Sequence, residues 1–79
     1  MTEHTLAATM SREEILSRVL AAEREAHDLL EQAAQAAPDR EERELYRRLA
    51  RREEQSLEDL RLEERRLDAV EFVQRALDI

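Results

Sequence analysis

The sequence predicts an all-α protein, an antiparallel two-helix hairpin that dimerises into a four-helix bundle. Three observations carry this expectation. The 79 residues include no glycine, a single proline and 42% charged side chains, so nothing supplies tight hairpin turns or β-rich runs. Apolar residues recur at helical spacing on both sides of that proline, Pro38. A chain of this length also buries too little surface to be comfortably stable alone, and the absence of cysteine removes disulfides as a remedy. Oligomerisation is left, with or without a metal held by carboxylates or histidine.

The first ten residues, MTEHTLAATM, read as a flexible tail, without the basic region and apolar run of a secretory signal. Ser11 followed by Glu14 forms a capping box, in which the serine oxygen accepts an early amide and the glutamate reaches back. The first helix is therefore expected from Arg12 to about Ala36. Pro38 stops it, because the residue before a proline is pushed out of the helical region. Asp39 with Glu42 repeats a cap-like D-x-x-E pattern, so the second helix starts near Arg40. A connection of two or three residues forces the two helices into an antiparallel pair.

In the second helix, Leu45, Tyr46, Leu49, Ala50, Leu57, Leu60 and Leu67 fall on one face at 100° per residue. Beyond Leu67 the apolar residues, among them Val70, Val73 and Leu77, rotate away from it. Two readings of this change stand. Either the helix bends or breaks near residues 62–68 before a short terminal helix, or it continues and carries a second contact surface. The expected organisation is a tail over 1–10, a hairpin over 11–67 and a C-terminal helical segment over 68–79 for oligomer or partner contacts.

Composition narrows the function classes. A formal net charge of −7 argues against nucleic acid, which needs a basic surface. The lack of glycine excludes phosphate-cradling loops. No stretch approaches the roughly 20 apolar residues of a membrane span, so the expectation is a soluble cytoplasmic protein with no membrane partner. Charged runs such as RRLARREE read as solvated faces with pairs one helical turn apart. Ser56 lacks the base and oxyanion hole of a hydrolase.

Two glutamates interrupt the apolar stripes. Glu23 points within roughly 30° of the centre of the first helix's stripe, by the helical repeat. Glu53 is as central on the second, among Leu49, Ser56, Leu57 and Leu60. Glu23 lies fifteen residues before Pro38 and Glu53 fifteen after it. In an antiparallel hairpin both therefore stand at one height, roughly 22 Å from the loop. Two facing carboxylates repel and resist desolvation, which raises at least one pKa unless a cation intervenes. A two-fold axis would bring four of them together, as a carboxylate-bridged di-metal site needs. The other reading is a buried polar pair that sets register, protonated or paired with an arginine across the dimer. His27, one turn from Glu23 but nearer the stripe's edge, is either an additional ligand or a partly exposed helix histidine.

The stretches Ala22–Ala34 (AEREAHDLLEQAA) and Leu45–Leu60 (LYRRLARREEQSLEDL) resemble the two metal-binding helices of the ferritin-like superfamily. The likeness is to rubrerythrin-type half-bundles and two-helix encapsulated ferritins, and it covers about residues 15–62. It implies that Glu23 and Glu53 are metal ligands, Glu53 being the glutamate of a Glu-x-x-His motif, with His27 a further candidate. It also implies a di-iron site formed across a homo-oligomer and ferroxidase-type oxidation of Fe(II) in iron storage. An encapsulin-type shell is the implied partner, which would put the protein inside a compartment of the cytoplasm. Ser56 departs from the pattern by standing where the family has its histidine. The alternative function is accordingly a non-catalytic oligomerisation or adaptor module that keeps the hairpin and has lost the metal site.

Overall fold

The computed structural model describes residues 8–78, so residues 1–7 of the expected tail, His4 among them, and Ile79 lie outside the described residues. The described residues are organised around two long helices, α1 over Arg12–Ala36 and α2 over Arg40–Leu77. The described residues contain no strand, and none of their helices is long and apolar enough to cross a membrane.

Local chemistry explains where each helix begins and ends. The Ser11 hydroxyl accepts from the Glu14 amide at 3.1 Å, while the Glu14 carboxylate accepts from that hydroxyl at 3.3 Å. Asp39 caps α2 by accepting from the Glu41 amide at 3.3 Å. Both first turns carry two glutamates, which complement the positive end of the helix dipole. Ala37 takes the extended conformation that Pro38 demands, with φ −68° and ψ 122°. The last turn of α1 has no basic residue, and Arg43 of α2 supplies one by donating to the Ala37 carbonyl at 3.3 Å.

α2 is a single continuous helix through residues 62–68, so of the two readings above the unbroken one holds and residues 68–77 do not form a separate helix. The reason is visible in the side chains of that stretch. Arg66 pairs with Glu63 at 2.9 Å and Arg75 with Glu71 at 3.6 Å, each one turn apart. Such pairs, in a segment of good helix formers without Gly or Pro, support the helix where apolar packing is thin.

The hairpin is one layer thick, with extents of 61 × 32 × 12 Å. Its buried core is Ala34, Ala37, Ala50 and Leu57. Ala34 and Ala50 are both 1% exposed, and small side chains at those two positions let the helix backbones approach closely near the turn. Leu16, Leu20, Leu30, Leu49, Leu60 and Leu67 are only half-buried. Ile15, Val19 and Leu45 are exposed. Tyr46 is half-buried, and its hydroxyl donates to Glu42 at 3.3 Å.

Leu57 is the largest side chain in this small core. Leu57→Ala should cost about 2–5 kcal/mol, the range for emptying a buried leucine site. Urea denaturation would read it as a lowered midpoint.

Candidate metal centre

The turn and the caps set the register, and the register sets the site. Glu23 of α1 and Glu53 of α2 meet across the helix interface, both half-buried. The Glu23 carboxyl is held above its ordinary pKa, first by a hydrogen bond shared with Glu53, then by desolvation, then by the Glu53 charge. Glu53 Oε2 is shielded from solvent and accepts no hydrogen bond from a donor among the described residues. An orphaned carboxylate oxygen of this kind has two remedies. A proton on Glu23 can bridge the pair, or a cation can bind there.

His27 is not part of this pair in the single hairpin. Its Nδ1 lies 3.4 Å from Asp28 Oδ1, and its Nε2 lies 3.7 Å from Glu31 Oε1 and 3.9 Å from Glu54 Oε1. The ring is thus turned along the edge of the helix interface toward carboxylates other than Glu23 and Glu53. Ser56, one turn after Glu53, is exposed.

The donor set of one hairpin is incomplete for a metal. Among the described residues no group of three or more His, Asp or Glu side chains is arranged to hold an ion. What the hairpin offers is a pair of carboxylates, hard oxygen donors, on a surface beside uncovered apolar residues.

One polar contact escaped the sequence reading. Arg12, the first residue of α1, donates from Nη1 to Glu71 at 2.6 Å and from Nη2 to Asp68 at 3.1 Å. Counting outward from Pro38 brings Arg12 close to this stretch, and a long guanidinium spans the remaining offset.

No known family matches the chain, and neither a curated protein nor a solved structure is detectably similar to it.

The raised pKa of Glu23 makes a signed prediction. Its folded-state pKa lies above 4.5, the ordinary value, so folding takes up a proton at this carboxyl. That contribution to stability is complete below pH 4.5 and is lost as pH rises through the folded-state pKa. Glu23→Gln mimics the protonated form at every pH. In metal-free protein its melting temperature should therefore gain on the native chain as pH climbs from 4.5 to neutrality. Parallel melting curves at all pH values would remove the pair as the source.

Proposed function

We propose that this chain is a ferritin-like metal-binding protein. In this reading two hairpins meet through their open apolar faces, and Glu23 and Glu53 of each chain together form a four-carboxylate site. The observation that carries the reading is the carboxylate pair itself, two acidic side chains brought into contact in an apolar interface with one shielded oxygen left unsatisfied. The thin core supports the dimer, since covering the half-buried leucines would supply the apolar burial that one hairpin lacks.

The residues present fit a hard cation. Four carboxylates would bind it, neutralise its charge and hold it away from bulk water between the alanine-rich stretches. Iron is the expected ion, and Fe(II) would be the substrate if the site turns over in the ferroxidase sense. Glu23 and Glu53 must then be ionised, so the raised pKa of Glu23 makes ion binding weaken as pH falls.

A second reading, a helical assembly module without metal chemistry, is favoured by Ser56. Its exposed hydroxyl is a poor iron ligand at the place where the resemblance calls for an imidazole.

Anaerobic Fe(II) titration with native mass spectrometry separates the two. The metal reading expects iron in the two-chain species and a higher melting temperature, worth about 2.7 kcal/mol when free iron is a hundredfold above Kd. Glu23→Ala should abolish the iron-dependent rise, and Ser56→His should tighten binding. Iron-free dimers with an unchanged melting temperature would leave the assembly module as the function.

A further inference from the structure

The two ends of the hairpin are held by different forces. Three of the four core residues, Ala34, Ala37 and Ala50, lie toward the turn, and Leu57, level with Val19, is the outermost. At the opposite end the inner residues Leu16, Leu20, Leu60 and Leu67 are half-buried, and Ile15 and Val19 are exposed. Beyond Leu57 in α2, and before Ala34 in α1, no apolar residue is buried.

The polar contacts run the other way. Arg12 opens α1, and its guanidinium reaches 56 and 59 residues along the chain to Asp68 and Glu71. The contact to Glu71 is 2.6 Å and that to Asp68 is 3.1 Å, short enough for charge-assisted hydrogen bonds. The Arg12 side chain is 31% exposed, whereas Glu71 is 42% and Asp68 63% exposed, so both contacts stay open to screening by salt. Arg12 Nε is shielded and has no partner among the described residues. Withdrawing that N–H from water costs energy, which the ion pairs beside it offset. Among the described residues, Glu13, 3.7 Å from Arg12 Nη2, and Arg75, 3.6 Å from Glu71, also face this point.

We infer that Arg12 is a latch which closes the open end of the hairpin, and that this latch governs whether the first turns of α1 stay docked on the C-terminal third of α2. It is a local device. The loop-proximal half has its own core and stays closed when the latch opens. The latch also responds to ionic strength, because its strength is electrostatic while that of the core is not. It stands independently of any metal at Glu23 and Glu53.

Hydrogen exchange on the full-length chain tests it. Arg12→Gln should speed exchange about fivefold over residues 12–18 and 64–71, the loss of two partly exposed ion pairs, with little change near the turn. Glu71→Gln should reproduce the pattern, and the double variant should exchange no faster than Arg12→Gln alone. Raising salt from about 0.01 M to about 1 M shrinks the screening length from about 30 Å to about 3 Å. It should loosen the same segments in the native chain and leave Arg12→Gln unaffected. Uniform acceleration over both halves, additive effects of the two substitutions, or no change at the open end would each overturn the latch.

Discussion

The three-residue connection Ala37–Pro38–Asp39 is the constraint on which the rest of the hairpin depends. Pro38 forces Ala37 out of the helical region, and Asp39 restarts the chain as a helix cap, so α1 and α2 reverse direction with no freedom to slide. Arg43 reinforces the reversal by binding the Ala37 carbonyl. From that register follow the meeting of Glu23 with Glu53 and the reach of Arg12 to the far part of α2. A one-residue change in the connection would rotate α2 by about 100° and separate both sets of partners.

The same register leaves the molecule one-sided. Two helices can cover each other along a line, not over a surface, and here the line is occupied chiefly by alanine. Close approach through small residues gains dispersion contacts but little apolar area, because alanine has little to bury. The larger side chains stand beside the contact line and remain partly in water. A hairpin built this way has much of its burial potential on the outside.

Much of this was legible in the sequence because it depends on nearest neighbours along the chain. Ser11, Pro38 and Asp39 announce themselves by local chemistry, and the helix limits agree with them to the residue. The matched height of Glu23 and Glu53 required only counting from the turn. Features that depend on side-chain direction were harder. His27 shares a turn with Glu23, yet its nitrogens face Glu31 and Glu54, a difference set by rotation about the helix axis and the ring torsions. The unbroken course of α2 was ambiguous because a rotating apolar stripe can signal either a break or a second face, and ion pairs such as Arg66–Glu63 decide in favour of continuity. The Arg12 contacts join positions that differ in height by more than a turn, so only the length of the guanidinium side chain connects them.

The physical question that the carboxylate pair raises is why leucine does not occupy both positions. Apolar residues at 23 and 53 would pack against Leu49, Leu57 and Leu60 without repulsion, and replacing a buried charged pair by hydrophobic groups is often neutral or stabilising. A polar pair can still hold register, since a shared proton makes a directional bond where leucines would tolerate slippage. In this chain, however, the turn already holds the register, and the Arg12 contacts bind the other end. Register alone is therefore a weak reason for a site that is satisfied only by taking up a proton. A cation reverses the sign of the same interaction, converting mutual repulsion into joint attraction, and it does so in the ionised state that neutral pH favours for most carboxyls. The shielded Glu53 oxygen is satisfied in that arrangement and unsatisfied in the ionised, metal-free one. These terms support the proposed ion-binding reading, in which Ser56 would limit the ligand set to oxygen donors.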